Sequence, residues 1–245
     1  MFTRRRWLGA SWAALLATGV GEAEESFEAA RERLMREIEQ DARATAGSTG
    51  RSTLAANVMA AMRKVPRHRF VPANLAGVAY ENRPLPIGEG QTISQPFIVA
   101  LMTDLAEPKK EDVVLEVGTG SGYQAAVLAE CVARVYTIEI VRKLGERASA
   151  LLKELGYVNV ETRIGDGYAG WLEAAPFDAI VVTAAPDHIP QPLIDQLKPG
   201  GRMVIPVGEQ SFGGQDLMVI EKSSDGRTLT RNALPVRFVP LTRPR

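Results

Sequence analysis

The stretch VVLEVGTGSGY, residues 113–123, carries the clearest structural signal in this sequence. Its first five residues are typical of a buried strand, because apolar side chains follow one another almost without interruption. The glycines after them allow the backbone to turn sharply and to approach a ligand closely. A strand, a glycine turn and a helix form the unit with which α/β sheets bind nucleotide-like cofactors. A glycine triplet alone is also compatible with an ordinary tight turn.

Strands and helices alternate after this unit. Short β-rich runs predict strands at residues 113–117, 134–138, 159–164, 177–183 and 202–207. Helical patterns predict helices at residues 123–133, 141–155, 168–174 and 191–197. This alternation indicates a parallel sheet that is covered by helices. Two further strands, 217–222 and 228–238, are separated by the turn sequence SSDG and are predicted to be antiparallel.

The sequence before the glycine stretch is helical and then rich in turns. Apolar residues at three- and four-residue steps predict a helix over residues 26–44, and Ser52 is predicted to cap a second helix that ends before Pro66. Prolines and glycines forbid long elements over 66–94, and a third helix is predicted from Pro96 to Leu105. The predicted fold is α/β and doubly wound, with a mostly parallel sheet, antiparallel C-terminal strands and an N-terminal helical extension.

Composition limits the classes of function. The chain has 245 residues, with 29 basic and 29 acidic side chains, so its formal charge is zero and the simplest argument for a nucleic-acid-binding protein is absent. Its 45% hydrophobic and 24% charged residues are typical of a globular protein. One cysteine excludes an internal disulfide, and two histidines make a metal site unexpected. An enzyme or a binding domain remains.

The first 24 residues have the layout of an export signal. Three arginines, Arg4 to Arg6, precede an apolar stretch from Trp7 to Val20, and small residues follow at Gly21 and Ala23. The arginines resemble the twin-arginine motif. The alternatives are a plain N-terminal extension or a start codon placed too far upstream. We therefore predict a signal-like leader over 1–24, a helical extension over 25–50 and a single domain over 51–245, with its cofactor core at about 110–207.

Two acidic residues stand where a cofactor would need them. Glu139 ends the second strand of the alternating region, 21 positions after Gly118, close to the interval of about 20 residues at which a carboxylate binds ribose hydroxyls. Asp166, in the sequence GDG, follows the third strand and could accept a hydrogen bond from an adenine amino group. Each is also compatible with a plain solvated carboxylate or a turn aspartate. Tyr123 stands where a dinucleotide fingerprint wants glycine and no P-loop is present, which favours S-adenosylmethionine over NAD.

Further motifs make the chain similar to a known family over residues 52–245. These motifs are RPLPIG (83–88), GQTISQP (90–96), VLEVGTGSGYQAAVLA (114–129), GDG (165–167), FDAI (177–180), LKPGGRMVIPVG (197–208) and RFVPLT (237–242). The chain resembles the protein-L-isoaspartate (D-aspartate) O-methyltransferases, a family of class I S-adenosylmethionine-dependent methyltransferases with a Rossmann-like sheet. The resemblance implies methyl transfer to the α-carboxylate of isoaspartyl residues in damaged proteins and peptides, which initiates their repair.

The resemblance also implies roles for individual residues. Ser94 is expected to be the catalytic residue. The residues expected to bind the cofactor are Gln91, Thr92, Ile93, Ser94, Gly118, Gly120, Gly122, Glu139, Asp166 and Gly167. The residues expected to bind the substrate are Thr92, Ser94, Val239, Pro240 and Thr242. No metal is implied.

Several alternatives stay open at the level of the sequence. Ser94 could simply cap the helix that begins at Pro96. The acceptor could be a different carboxylate, a small molecule or a nucleic-acid base, although the sequence VTAAP after the fourth strand differs from the element that base methylation needs. A domain that has lost catalysis and an oxidoreductase are more distant alternatives. The family and the supply of donor predict a cytoplasmic monomer without a membrane span or nucleic-acid partner, whereas the leader favours export.

Overall fold

The computed structural model describes residues 13–209 and 214–243, with side chains from residue 27 onward. Residues 1–12, which contain the arginines of the predicted leader, lie outside the described residues. The helices are α1 (Ala13–Thr49), α2 (Ala56–Lys64), α3 (Pro96–Leu105), α4 (Tyr123–Ala129), α5 (Arg142–Glu154) and α6 (Gln191–Asp195), with 3₁₀ turns at Arg67–Phe70, Ala73–Val78 and Leu172–Ala174. The strands are β1 (Leu85–Gly88), β2 (Gln91–Ile93), β3 (Val113–Val117), β4 (Arg134–Glu139), β5 (Val160–Ile164), β6 (Phe177–Val182), β7 (Leu197–Val207), β8 (Gln215–Lys222) and β9 (Thr228–Val236).

Seven strands form the central sheet in the order β5-β4-β3-β6-β7-β8-β9. The five strands β3 to β7 pair in parallel, and β8 and β9 are antiparallel to their neighbours. This arrangement confirms the predicted fold class. The chain passes from β3 to β4 on one side and later to β6 on the other, so the strand order reverses at β3. Ligands of doubly wound sheets bind at such a reversal, outside the carboxyl ends of the strands.

Both faces of the sheet are buried. Val114, Val135 and Ala179 belong to one core cluster, together with α1 to α5, whereas Leu115, Ile138 and Ile180 belong to a second cluster on the opposite face. Successive residues of β3 therefore pack on opposite sides, which explains why its sequence reads as a continuous apolar run. The short hairpin β1–β2 is separate from this sheet.

Two N-terminal helix boundaries differ from the prediction. The predicted helix 26–44 is part of α1, which continues to Thr49 and stops where Gly50 adopts a left-handed φ of +71°. Ser52 does not cap α2, since this helix begins at Ala56 and has no side-chain cap hydrogen bond. Asp104 instead accepts a hydrogen bond from the Ala55 N–H at 2.6 Å, and this tertiary contact fixes the entry to α2.

Elements in the alternating region also differ from the prediction, since the helix predicted over 168–174 is only a 3₁₀ turn at Leu172–Ala174 and α6 ends at Asp195. Helix α4 ends at Ala129, earlier than predicted, because the Asn159 side chain donates to the carbonyls of Ala129 and Val132 at 2.9 and 3.3 Å. The sequence KPGG, predicted as a loop before a strand at 202–207, lies within β7. Its pairing with β6 is irregular there, and a side chain at Gly201 would lie 2.8 Å from the Asp178 carbonyl oxygen.

Candidate functional site

The glycine loop after β3 has a backbone that only glycine adopts easily. Gly118, Gly120 and Gly122 have φ values of +102°, +53° and +89°. A Cβ atom at Gly118 would lie 2.5 Å from Thr183 Oγ1, the hydroxyl that donates to the Gly118 carbonyl at 2.6 Å. The glycines therefore allow the sharp turn that the sequence predicted, and they let the loop lie directly against the carboxyl end of β6.

Glu139 fixes the shape of the glycine loop. Its Oε2 accepts a hydrogen bond from the Gly120 N–H at 2.7 Å, and its Oε1 accepts one from the Val141 N–H at 2.8 Å. Each carboxylate oxygen retains a second lone pair. Glu139, the residue predicted to bind the ribose, thus lies at the end of β4 on the wall of the cleft. There it also orients the backbone of the glycine loop.

Glu116 lies fully buried beneath the same loop. It accepts a hydrogen bond from the Thr137 hydroxyl, which lies 2.6 Å from the Thr119 hydroxyl. Burial raises the pKa of the Glu116 carboxyl to about 8. Its Oε1 has no hydrogen-bond partner among the described residues, although the residue lines the cleft. Glu116 therefore supports the loop through hydroxyl groups and leaves one carboxyl oxygen without a partner.

Ser94 follows β2 and precedes α3, and its hydroxyl makes no hydrogen bond with the described residues. The cap position of α3 is Gln95, which forms no side-chain cap, and the Phe97 N–H instead donates to Asn82 Oδ1 at 3.0 Å. The alternative that Ser94 caps this helix is therefore wrong, because Asn82 takes the amide that a cap would bind. The Ser94 hydroxyl remains available for a ligand.

The C-terminal segment, residues 237–242 after β9, is held across the carboxyl end of the sheet. Ala185 donates to the Val239 carbonyl and accepts from the Leu241 N–H, both at 2.8 Å. Gln215 pairs with both backbone groups of Phe238, at 2.5 and 3.2 Å. The Tyr168 hydroxyl donates to the Leu241 carbonyl at 3.2 Å. These contacts bring the end of the chain beside β2 and the glycine loop.

Two neighbouring cavities of different size result, and both are open to solvent. The smaller lies between the hairpin segment, the glycine loop and the C-terminal segment, and the larger lies between α1, the start of α3 and the end of β9. Eleven of the predicted site residues line the smaller cavity: Gln91, Thr92, Ile93, Ser94, Gly118, Gly120, Glu139, Gly167, Val239, Pro240 and Thr242. Four residues line both cavities: Thr92, Ser94, Thr183 and Val239. Ser94 therefore stands where the two spaces meet.

Two predicted cofactor residues do not line either cavity. Gly122 packs its backbone against α5, where an added Cβ would lie 3.3 Å from Leu152. Asp166 accepts a hydrogen bond from the Tyr168 N–H at 2.9 Å, which is the geometry of an aspartate turn. Neither is thereby excluded from its predicted role, which stays a prediction.

Thr183 is a site residue that the sequence reasoning did not single out. It follows β6 directly, so it lies at the carboxyl end of the strand next to β3. It lines both cavities and fixes the Gly118 carbonyl. Its position at the end of the predicted strand 177–183 was the available signal, because ligand-binding residues of this architecture lie at the carboxyl ends of strands.

The comparison with family models decides the family. Residues 47–245 match the model described as protein-L-isoaspartate(D-aspartate) O-methyltransferase. The chain belongs to this family. Membership confirms the resemblance seen over residues 52–245, and with it the prediction of a methyltransferase.

Individual members of the protein-L-isoaspartate O-methyltransferase family are similar over most of their length. A protein-L-isoaspartate O-methyltransferase 2 of Syntrophobacter fumaroxidans is 62% identical over 223 residues, covering 91% of this chain and 90% of that protein. A protein-L-isoaspartate O-methyltransferase 1 of Nitrosospira multiformis is 60% identical over 215 residues, covering 88% of each protein. The likeness therefore extends beyond the cofactor core.

Solved structures of the same family have the same fold. A protein-L-isoaspartate O-methyltransferase superposes with a TM-score of 0.73 at 29% identity, over 86% of this chain and 65% of that longer chain, just under two thirds of it. A second structure, from Plasmodium falciparum, was solved with S-adenosyl-L-homocysteine. It superposes with a TM-score of 0.70 at 24% identity, over 89% of this chain and 99% of that chain, and at this identity the likeness concerns the fold.

Proposed function

We propose that this chain transfers the methyl group of S-adenosylmethionine to the α-carboxylate of L-isoaspartyl residues in damaged proteins and peptides. The reaction initiates their repair. The observation that carries the proposal is the position of the Ser94 hydroxyl. It has no hydrogen-bond partner among the described residues, and it lies between two cavities in a chain of this family. One cavity suits the donor, and the other suits a peptide.

The smaller cavity has the features that the donor needs. The glycine loop offers backbone without side chains, and a Cβ at Gly118 would press into Thr183. Glu139 keeps lone pairs for the ribose hydroxyls, and Glu116 Oε1 is a carboxyl oxygen without a partner among the described residues. Gly120 and Gly167 also line the cavity. When bound, S-adenosylmethionine supplies a methyl group that is already activated on a positively charged sulfur.

The chain's residues have only modest chemistry to perform. An isoaspartyl α-carboxylate with a pKa near 4 is ionised at neutral pH, so it attacks without a general base. The protein must therefore align the carboxylate with the methyl group and exclude water. Ser94 donates a hydrogen bond that orients the carboxylate and leaves its lone pairs reactive. Gln91, Thr92 and Ile93 cover the donor side of Ser94, where they line the smaller cavity.

The larger cavity suits the peptide around the damaged residue. It opens from Ser94 between the start of α3 and the C-terminal segment, and its far wall includes Asp41 and Thr45 of α1. Val239, which also lines the donor cavity, forms the boundary between the two spaces. Pro240 and Thr242 close the cleft on the donor side. We assign Thr92, Ser94, Val239, Pro240 and Thr242 to substrate binding.

The decisive measurement is transfer of labelled methyl to paired peptides that differ only in an aspartyl or an isoaspartyl linkage. We expect label on the isoaspartyl peptide alone. Equal labelling would contradict isoaspartyl specificity, and absence of labelling would contradict the proposed function. Ser94→Ala should lower kcat by about 10-fold or more, with little change in affinity for S-adenosylhomocysteine, because the lost interaction orients the acceptor. Ser52→Ala, on an exposed residue that caps no helix, is the matched control.

We place the reaction in the cytoplasm, where the donor is made, and expect a monomer. The predicted division into leader, helical extension and a methyltransferase domain over 51–245 is part of the same proposal. No helix among residues 13–209 and 214–243 is long and apolar enough to cross a membrane. The predicted leader supports export as the alternative. Cell fractionation with detection of the full-length or shortened chain distinguishes the two locations.

A further inference from the structure

Arg67 is a fully buried cation near the site. It lies in the 3₁₀ turn that follows α2, and none of its side chain is exposed. Burial lowers the pKa of its guanidinium to about 10, so the group is still charged at neutral pH. Within the described residues, no carboxylate forms an ion pair with it. A buried charge without an ionic partner is costly, so the other contacts of this guanidinium must stabilise it.

Those contacts join both ends of the segment that contains Ser94. Arg67 Nε donates to the Ala79 carbonyl at 2.8 Å, and Nη2 donates to the Ser94 carbonyl at 2.8 Å. A longer contact of 3.5 Å runs from Nη2 to the Arg83 carbonyl. The chain between residues 79 and 94 includes the β1–β2 hairpin. The guanidinium therefore ties the two ends of this segment together from beneath.

The same side chain also contacts the donor side of the site. The guanidinium carbon lies 4.8 Å from the centre of the Tyr123 ring, and Tyr123 is the buried first residue of α4, directly after the glycine loop. A cation over an aromatic face is stabilised by the ring's electrons. Arg67 thus links the backbone of Ser94 with the element that follows Gly122.

The Ser94 hydroxyl depends on its backbone for its position. No hydrogen bond to the described residues fixes this hydroxyl. Three residues later, the Phe97 N–H is held by Asn82, whose own amide donates to Asp41 Oδ2 at 2.8 Å. The Ser94 carbonyl is held by Arg67. Displacement of this carbonyl would therefore move the hydroxyl relative to the donor cavity.

We propose that Arg67 is a positioning residue for the reaction, because it holds the Ser94 carbonyl against the helix that follows the glycine loop. This inference rests on the proposed function and adds a residue that does not touch either substrate. The planar guanidinium is essential to it. A fork of fixed geometry donates to two separate carbonyls at once, whereas the single ammonium of lysine does not hold both in the same geometry.

Arg67→Lys tests this role in the full-length chain with an isoaspartyl peptide. We expect kcat to fall by about 10- to 100-fold, the loss typical of a small displacement of reacting groups. Affinity for S-adenosylhomocysteine should change by less than about 3-fold, since the donor cavity keeps its lining. The matched control is Arg31→Lys. Arg31 also lies over a tyrosine ring, that of Tyr80, and donates to its hydroxyl, but among the described residues it forms no hydrogen bond with Ser94 or with the Ala79 carbonyl.

A double-mutant cycle with Ser94→Ala separates positioning from general destabilisation. If Arg67 acts through Ser94, Arg67→Lys should cost little further kcat once the hydroxyl is absent. Full additivity would overturn the inference, as would an unchanged kcat or an equal loss in Arg31→Lys. Arg67→Gln, which is uncharged and keeps one donor group, provides a second variant for the cycle if the lysine variant does not fold. If the wild-type chain itself transferred no label to the isoaspartyl peptide, the proposed function would be refuted, and not the role of Arg67 alone.

Discussion

Glu116 is the residue whose ionisation should be visible in the stability of the whole protein. Its carboxyl is fully buried, and burial raises its pKa from 4.5 to about 8. The Thr137 hydroxyl opposes this change by donating to the carboxylate, and the nearby Glu139 carboxylate adds to it. Folding therefore favours the protonated form of Glu116 over a wide range of pH.

This pKa predicts how stability depends on pH. Between about pH 5 and about pH 8 the unfolded chain has released the Glu116 proton and the folded chain has kept it, so the free energy of unfolding falls as pH rises. Glu116→Gln cannot ionise and should lose this contribution. Its free energy of unfolding relative to wild type should therefore rise over the same interval, as measured by urea unfolding at several pH values.

The exposed Glu111→Gln is the control, because removal of a solvated carboxylate should leave the pH dependence close to that of wild type. Parallel curves for wild type and Glu116→Gln would show that Glu116 ionises in the folded protein as it does in the unfolded chain. That result would contradict the prediction.

At the scale of single residues, the sequence predicted which residues lie at strand ends, but not which hydrogen bonds their side chains form. The interval from Gly118 to Glu139 correctly brought both to the same cleft. It could not show that the Glu139 carboxylate binds two backbone amides. Asp166 was chosen by similar reasoning from the third strand; it accepts a hydrogen bond from the Tyr168 N–H, and its predicted contact with adenine stays a prediction. Thr183 was missed because its contact with the Gly118 carbonyl joins two strands that are distant in sequence.

At the scale of elements, the strands of the central sheet were predicted to within five residues, but the β1–β2 hairpin was not predicted, and the start of α2 and the end of α4 were misplaced. The strands of the sheet have continuous apolar runs, which are local signals. Helices α2 and α4 begin or end where Asp104 and Asn159 bind free backbone groups, and these side chains lie 49 and 30 residues from their partners. No local pattern encodes such contacts. The capping position of α3 was misassigned for the same reason, since its partner is Asn82.

The C-terminal segment after β9 depends on one buried side chain for its position. Gln215 is only 4% exposed and binds both the N–H and the carbonyl of Phe238. Val239 and Pro240 follow directly and line the donor cavity. The wall of the cleft is therefore fixed by Gln215, a residue that lines neither cavity.

Gln215→Leu should loosen this wall. It removes the two hydrogen bonds to the Phe238 backbone, at a cost of about 1–3 kcal/mol for each buried group that finds no other partner. We expect a lower free energy of unfolding and a higher KM for the isoaspartyl peptide, with a smaller change in kcat. Gln191→Leu, on an exposed residue of α6, is the control. An unchanged KM in Gln215→Leu would show that the segment holds its position without this side chain.

At the scale of the whole molecule, α1 belongs to the core although it begins outside the matched family region. The family match starts at residue 47, yet four residues of α1 before that point are almost fully buried: Leu34, Met35, Ile38 and Ala42. Asp41 binds Asn82, which in turn holds the start of α3. The helix also contributes Asp41 and Thr45 to the wall of the larger cavity. Its burial indicates that it folds together with the sheet.

Ile38→Ala tests whether α1 and the sheet unfold as one unit. Ile38 has no exposed surface, so its truncation should lower the free energy of unfolding by about 2–4 kcal/mol. Trp171 packs on the opposite face of the sheet, and its fluorescence can be followed alone after Trp7→Phe and Trp12→Phe. A single transition shifted equally for Trp171 and for total helicity is expected. The exposed Glu39→Ala is the control. If Ile38→Ala left the Trp171 transition unchanged, α1 would unfold independently of the sheet, which would contradict the prediction.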